Sequence, residues 1–266
     1  MTGYFTDESI IRRVHREHTL ALSGPRALLM QAAHPVAFAG FFMSTGALDD
    51  PYARLRRTAT VLNTIAFGER SRADEATARV RAVHGRVRGR LPEPVGRFPA
   101  GTPWAADDPE LLLWILATLA DSGLLVYERY VGGLRRQERE AYWSDYRLVG
   151  SLFGLREPDM PPTIGRLRSY MREMLSGDML HVSPQARELA IEIVLRPPVP
   201  LRARPLLELA NFVTIGLLPA PLRRQYGLGW DPIRGLALRV GAEYTKRVLV
   251  PVLPRRVRYS RARAIA

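Results

Sequence analysis

The chain has 266 residues, 47% of them hydrophobic and 24% charged, which is typical of a folded globular protein and excludes a wholly disordered one. It contains no cysteine, which excludes a disulfide scaffold, an iron–sulfur cluster and a thiolate ligand or nucleophile. The formal net charge of +13 suits an anionic partner. However, the arginines are spread along the chain and no nucleic-acid-binding motif accompanies them, so we expect a solvated basic surface and no nucleic-acid partner.

The N-terminal residues 1–13 have no apolar segment and include Asp7 and Glu8, so they do not resemble a signal peptide, and we expect a cytoplasmic protein. Two later stretches, residues 111–127 and 205–219, are apolar but shorter than the roughly 20 residues that span a membrane. Each carries an acidic residue, so we predict two buried helices. Peripheral membrane contact through the second stretch and an arginine-rich tail remains an alternative.

Helical signals dominate the rest of the chain. An Asp or Ser followed by Pro opens four predicted helices, since the first residue caps the helix and proline fits its first turn. The predicted helices cover residues 8–22, 25–43, 51–67, 72–89, 109–131, 135–153, 163–175, 184–195, 203–218 and 232–249. Pro35 should kink or split the second of them near Ala32. Gly68 and Gly154 stand at positions that favour helix C-caps.

Strand signals are weak throughout. The one short β-branched run, residues 248–253, is interrupted by Pro251, and residues 91–103 are rich in proline and predict a loop. We therefore predict an all-α protein of about ten helices. We expect a single domain over residues 1–266, in which residues 198–266 form a C-terminal helical extension.

His84 is the histidine whose surroundings suggest a role. It follows Val83 and has Val80 and Val87 at i−4 and i+3, so it should project near the apolar face of its helix. Such a histidine is either a hydrogen-bonded core residue or a metal ligand. As a ligand, a single imidazole without thiolates suits haem iron better than zinc, because the porphyrin supplies four ligands itself.

Arg54, Arg57 and Thr58 are spaced to share one face of the preceding helix, together with Val61 and Ile65. Two guanidinium groups and a hydroxyl beside apolar residues suit an anionic group such as a propionate. The alternative is two solvated arginines and a threonine that bonds to its own helix backbone.

Two further polar positions interrupt apolar helices. His34 and Pro35 close a helix that carries Gln31, and a kink there frees backbone carbonyls that can line a pocket. The alternative is a hydrogen-bonded core histidine. Asp121 lies in the apolar stretch 111–127, so we predict a buried carboxylate paired with an arginine, with proton transfer as the alternative.

In their order and spacing, several segments resemble the MpaB/rubber oxygenase family, which includes latex-clearing protein. The segments are GPRALLMQAAHP (24–35), DPYARLRRT (50–58), FG (67–68), VRAVHGRVRG (80–89), Trp114, Ala117-Thr118 and Asp121-Ser122. The resemblance covers most of the chain and is weak in its last third.

The resemblance implies a globin-like helical core around one haem b. In it, His84 corresponds to the proximal iron ligand, and Arg54, Arg57 and Thr58 correspond to the distal, catalytic set. Arg54, Thr58 and His34 would join His84 around the cofactor. Rubber oxygenases cleave carbon–carbon double bonds with dioxygen, and MpaB cleaves a terpenoid side chain. The implied function is oxidation of an apolar, isoprenoid or lipid-like substrate with dioxygen.

Two positions depart from the family pattern. Arg57 stands where rubber oxygenases have a lysine that can approach the iron, and a guanidinium stays protonated and does not ligate iron. Leu116 stands where we expect a histidine in many relatives. Two other functions remain as alternatives: a non-catalytic haem- or lipid-binding protein, and a scaffold at a membrane surface.

Overall fold

The computed structural model describes residues 3–42 and 50–259, apart from the side chains of Phe41, Phe42 and Arg54. The helices are α1 (Ile10–His15), α2 (Ser23–Ala32), α3 (Pro35–Phe42), α4 (Pro51–Phe67), α5 (Arg70–His84), α6 (Pro109–Tyr130), α7 (Arg136–Leu152), α8 (Ile164–Ser176), α9 (Pro184–Leu195), α10 (Arg204–Leu217), α11 (Ala220–Gln225), α12 (Pro232–Tyr244), α13 (Val250–Val252) and α14 (Arg255–Arg258). The predicted all-α class is confirmed.

Side-chain caps begin the helices where the sequence predicted them. In each of the four Asp-Pro or Ser-Pro pairs, the capping oxygen accepts a backbone N–H from the first turn. The pairs are Asp50 with Ala53, Asp108 with Glu110, Ser183 with Ala186 and Asp231 with Arg234, at 2.7 to 3.1 Å. Gly154 follows α7 with a φ of +104°, a conformation that suits glycine after a helix end.

The N-terminal helices are shorter than predicted. Pro35 splits the second predicted helix, because α2 ends at Ala32 and α3 begins at the proline itself. The first predicted helix also divides, into α1 and a 3₁₀ segment, His18–Leu22. These breaks let the early chain wrap around α6 instead of running past it.

Helix α6 is the central element of the core. Its length and apolar composition would allow it to cross a membrane, but 61% of its most apolar window is buried inside the fold. Trp114, Ala117 and Val126 are fully buried on different sides of it, and α2 and α7 pack along it. A helix that is apolar all round needs neighbours on all sides. The predicted buried helix is therefore confirmed.

A small hairpin escaped the sequence analysis. Strands β1 (Arg88–Arg90) and β2 (Pro103–Ala105) pair antiparallel, with Gly89 opposite Trp104. Three residues are too few for a visible alternation of apolar and polar side chains. Gly89 is required there, because a Cβ would lie 2.6 Å from Cζ2 of Trp104.

The C-terminal segment is tied to the core at several points. Tyr226 Oη donates to the carbonyl of Leu29 at 2.7 Å, and Lys246 Nζ donates to the carbonyl of Glu128 at 3.0 Å. Arg258 pairs with the buried carboxylate of Glu17 at 2.8 Å. Residues 245–252, which include most of the β-branched run, form a π-helical turn and α13 rather than a strand.

Helix α10 corrects one prediction. The sequence predicted a buried helix over residues 205–219, and Val213 and Leu217 are indeed buried. Leu206 and Leu209, on the same side of the helix, are 70% and 60% exposed. The prediction is wrong for the first half of the helix, because the buried residues of α10 begin only at Val213.

Candidate functional site

Helices α4 and α5 form a helical hairpin that carries most of the candidate residues. Gly68 turns the chain between them, and its N–H donates to the carbonyl of Thr64 at 2.8 Å. The hairpin is buried near this turn, through Ile65, Ala66, Ala73, Ala76 and Thr77. Arg57, Thr58 and His84 lie further from the turn, so the core holds the hairpin at one end and leaves the candidate residues near the other.

The predicted shared face of α4 is only partly confirmed. Ile65 is buried and Val61 packs against the main core, but Arg57 and Thr58 are exposed. Arg57 Nε donates to the carbonyl of Ala53 at 3.4 Å, one turn back along its own helix. The side chain of Arg54 lies outside the described residues. The guanidinium group of Arg57 and the hydroxyl group of Thr58 therefore lie at the surface, outside the core.

His84 is the last residue of α5. Its ring is half-buried and its Nδ1 is shielded from solvent. The predicted apolar face around it is wrong at Val83, which is 58% exposed. Helix α5 also ends at His84 and not at Gly89. His84 thus lies where the helix gives way to the turn before β1, and its carbonyl accepts the N–H of Val87 at 3.1 Å.

His34 occupies the corner between α2 and α3 and is 3% exposed. Its Nδ1 faces the N–H of Ala37 at 3.4 Å, and its ring lies 5.5 Å from the ring of Phe98. Burial lowers the pKa of His34 to about 4, so the ring is neutral at pH 7. This is the arrangement of a hydrogen-bonded core histidine, the structural alternative given above, and a cofactor contact for His34 stays a prediction.

Other polar residues of the family-like segments join α2 to α6. Arg26 is buried and reaches Asp121 at 2.8 Å, Ser122 Oγ at 2.6 Å and the carbonyl of Leu217 at 2.9 Å. The predicted pairing of Asp121 with an arginine is confirmed, although Asp121 keeps 31% of its side chain exposed. We call Arg26, Asp121 and Ser122 the Arg26 cluster.

A second polar link lies along the same pair of helices. Gln31 Nε2 donates to Thr118 Oγ1 at 2.9 Å, and that hydroxyl donates to the carbonyl of Ile115 at 2.9 Å. Together with the Arg26 cluster, this contact crosslinks two motifs that lie far apart in the sequence. We call these contacts between α2 and α6 the seam. The sequence identified the residues of the seam but not their pairing, because partners on separate helices leave no local spacing signal.

Leu116 faces away from that seam. It is buried against Gly150 of α7, where an added Cβ would lie 2.7 Å from Leu116 Cδ2. Trp114 is fully buried and meets Tyr170 of α8 edge-on, with 6.5 Å between ring centroids. This part of α6 therefore serves to pack helices together.

An open groove of about 520 Å³ runs along the β1–β2 hairpin, just after His84 in the chain. It is lined by Arg88, Gly89, Arg90, Pro103, Trp104, Ala105 and Asp108. Sequence analysis missed this groove, because it predicted residues 72–89 as a helix and residues 91–103 as a loop. The described residues of the groove lining do not include the candidate histidines or α4.

Protein-only metal sites need several ligands close together. Within residues 3–42 and 50–259, no three His, Cys, Asp or Glu residues are grouped as such a site requires. His15, for example, is 3.0 Å from the hydroxyl of Tyr146, and His18 Nδ1 is 2.8 Å from the carbonyl of Val257.

Comparison with known proteins gives two findings. A family model described as ER-bound oxygenase mpaB/B'/rubber oxygenase, catalytic domain, matches residues 12–247. Uncharacterized proteins of Mycobacterium bovis and Mycobacterium tuberculosis are each 26% identical over 185 residues, which are 68% of this chain and 68% of each relative. No solved structure matches the chain.

Proposed function

The chain belongs to the mpaB/rubber oxygenase catalytic-domain family, and on that premise we propose that it is a haem b-dependent oxygenase. Its co-substrate would be dioxygen and its substrate an apolar, isoprenoid or lipid-like molecule, cleaved at a carbon–carbon double bond or oxidised in a related way. The observation that carries the proposal is the family match, which spans residues 12–247 and describes an oxygenase catalytic domain.

The imidazole that the α4–α5 hairpin offers is a suitable ligand for haem iron. His84 offers one imidazole with a solvent-shielded Nδ1 at a helix end, and haem iron needs a single protein ligand on its proximal side. We assign that ligand to His84. His34 is a weaker candidate for iron, because burial against Phe98 and the backbone of α3 already occupies its ring.

The facing helix supplies charge and hydrogen-bond donors. Arg57 and Thr58 extend from the exposed side of α4, where core side chains do not fill the adjoining space. Guanidinium and hydroxyl groups there would hold haem propionates or orient an oxygen atom, and Arg54 belongs to the same set by its position in the helix. Arg57 stays protonated, so it donates hydrogen bonds and neither accepts a proton nor ligates iron.

Bound haem would supply the oxygen chemistry. The protein would supply the rest: His84 fixes the iron, the arginines of α4 balance negative charge, and apolar residues of α4 and α5 exclude water from an apolar substrate. A proton donor is assigned to none of the described side chains.

The visible spectrum of the protein, purified from cells given a haem precursor, tests the cofactor. We expect a Soret band that His84→Ala abolishes and that the matched control His18→Ala retains, since His18 is exposed and bonded only to the far C-terminal segment. A colourless wild type after haem reconstitution would refute the proposal. A band lost in His34→Ala but kept in His84→Ala would assign the ligand to His34, at the corner between α2 and α3.

Oxygen consumption distinguishes a catalytic oxygenase from a protein that only binds haem. With a reduced haem and an isoprenoid alkene, we expect oxygen uptake above autoxidation and carbonyl products. Arg57→Ala and Thr58→Ala should lower that uptake more than they lower haem content. Haem binding without alkene-dependent uptake would favour the non-catalytic haem-binding alternative.

A further inference from the structure

Helix α12 is apolar on two opposite sides, and only one of them is covered. Leu238 and Ala242 pack against α6 and α10 in a satellite core. On the other side stand Ile233, Leu236, Val240 and Tyr244, with 81%, 55%, 61% and 54% of their surface exposed. Their spacing of three, four and four residues draws one stripe along the helix.

Helix α10 carries two further exposed apolar side chains. Leu206 and Leu209 continue the line of Val213 and Leu217 but are exposed. Of the thirteen exposed large hydrophobic side chains among the described residues, twelve lie between residues 201 and 257. Such concentration marks an interaction surface, whereas single exposed hydrophobic residues scattered over a protein need no explanation. We call Ile233, Leu236, Val240 and Tyr244 the C-terminal apolar face.

The net charge of the segment that carries this face indicates the kind of partner. Residues 198–259 contain eleven Arg or Lys and three Asp or Glu, which is a net charge of +8. A second copy of the chain would bring another +8 against it, and like charges across an interface oppose association. An anionic surface has the complementary sign.

We propose that the C-terminal apolar face docks on an anionic lipid bilayer, with the axis of α12 lying in the plane of the membrane surface. The stripe would enter the boundary between headgroups and acyl chains, as in other amphipathic helices that lie on membranes. Arg239, beside the stripe, would reach the lipid phosphates, and long cationic side chains can do so while their stems stay in the apolar layer.

The length of α12 supports this orientation. Pro232–Tyr244 has 13 residues, about 20 Å of helix, which is shorter than the roughly 30 Å hydrocarbon core of a bilayer. One face of the helix is also already bound to α6 and α10. The helix is therefore suited to lie on a membrane and not to cross it.

Vesicle flotation tests the docking. The full chain is mixed with vesicles of phosphatidylcholine alone or of phosphatidylcholine with phosphatidylglycerol. We expect it to float with the anionic vesicles and to be released by high salt. Replacing Ile233, Leu236 and Val240 together by serine should weaken binding by more than about tenfold. Because these side chains are exposed, the unfolding temperature of the variant should match that of the wild type.

A matched pair of charge variants tests the electrostatic part. Arg239→Ala with Arg256→Ala removes two exposed cations from the C-terminal helices, while Arg166→Ala with Arg168→Ala removes two exposed cations from α8. We expect the first pair to weaken flotation severalfold and the second to leave it close to that of the wild type. Equal effects of the two pairs would show attraction by total charge alone and would overturn the assigned face.

A single label locates the contact, because the chain contains no cysteine. An environment-sensitive dye on Val240→Cys should shift to shorter wavelength with anionic vesicles, and the same dye on Arg168→Cys should not. The proposal is wrong if neither label responds, if neutral vesicles bind equally well, or if the wild type is a dimer that the triple serine variant makes monomeric. The last result would assign the face to a second copy of the chain.

Discussion

Helices α6 and α12 are both apolar on opposite sides, yet they have different environments. On α6, α2 packs along one side and α7 along another, so apolar residues around its whole circumference are buried. On α12, neighbours cover Leu238 and Ala242 only, and the stripe from Ile233 to Tyr244 stays exposed. The apolar residues of a helix therefore show how much of its surface favours burial. Whether that surface is buried depends on the elements that pack against the helix.

The charged groups of α6 and α12 differ in the same way, since one set is in the core and the other at the surface. In α6, Asp121 interrupts the apolar stretch and is held by the buried Arg26 at 2.8 Å, with Ser122 completing the contact. In α12, Glu243 pairs with Arg247 at 2.8 Å on the surface, where solvent screens the interaction. The Asp121 pair therefore holds two helices of the core together, whereas the Glu243–Arg247 pair lies at the surface within one helical turn.

The largest expected contrast comes from one matched substitution in each helix. Ala120→Asp places a carboxylate at a fully buried point of α6, where we expect a loss of about 4 kcal/mol in unfolding free energy or failure to fold. Ala237→Asp, at an exposed point of α12, should cost about 1 kcal/mol or less. Urea unfolding measures both. Equal losses would mean that α12 is as buried as α6.

The Arg26 cluster should show the next largest effect. Arg26→Met keeps the apolar stem but leaves the carbonyl of Leu217 and the hydroxyl of Ser122 without their donor, and we expect a loss of about 3 kcal/mol. Arg168→Met, on the exposed side of α8, is the control and should change stability by less than about 0.5 kcal/mol. A small effect of Arg26→Met in urea unfolding would contradict the role given to the cluster.

Mild acid should lower the free energy of unfolding, because His34 is buried in its neutral form. The pKa of the buried His34 is lowered to about 4, so between pH 4 and 6.5 the unfolded chain binds a proton that the folded chain does not. Stability contributed by neutral His34 is therefore present above pH 6.5 and lost as pH falls, by about 2 kcal/mol between pH 7 and 5. Burial also lowers the pKa of His15 to about 4, so His34→Asn should reduce the total slope by about half, and the exposed-site control His18→Asn should keep it. A slope unchanged by His34→Asn would refute the assignment.

The C-terminal helices should respond differently to that pH change. Residues 198–266 contain no histidine, and their cations are arginines and one lysine. Binding to anionic vesicles should accordingly change little between pH 7 and 6, while the core is still folded. A parallel loss of vesicle binding and of His34-dependent stability would couple the two regions more tightly than the contacts indicate.

The smallest effect concerns the contact between α10 and α12. A Cβ at Gly216 would lie 2.5 Å from Leu238 Cδ2 and 2.5 Å from Trp230 Cη2, so Gly216→Ala should cost about 1 kcal/mol or more. Gly241→Ala is the control, since an added Cβ there meets no atom within 4 Å, and it should stabilise α12 by about 0.5 kcal/mol. Thermal unfolding and hydrogen exchange of α12 would follow both changes.

Local signals in the sequence determined most of the helices. The caps at Asp50, Asp108, Ser183 and Asp231, and the break at Pro35, depend on residues within one turn of one another, so the sequence alone predicts them. It also predicted that Asp121 would pair with an arginine, because a charge in an apolar helix needs a partner. The motifs that carry the family resemblance are likewise local.

Tertiary structure alone decided the partners and the exposure. The sequence did not show that Arg26 is the partner of Asp121, that α5 ends at His84, or that β1 pairs with β2. Nor did it show that Leu206 would be exposed while Val213, two helical turns later on the same side of α10, is buried. Periodicity gives the direction in which a side chain points along its own helix. What lies in that direction depends on elements far away in the chain, and only their packing fixes it.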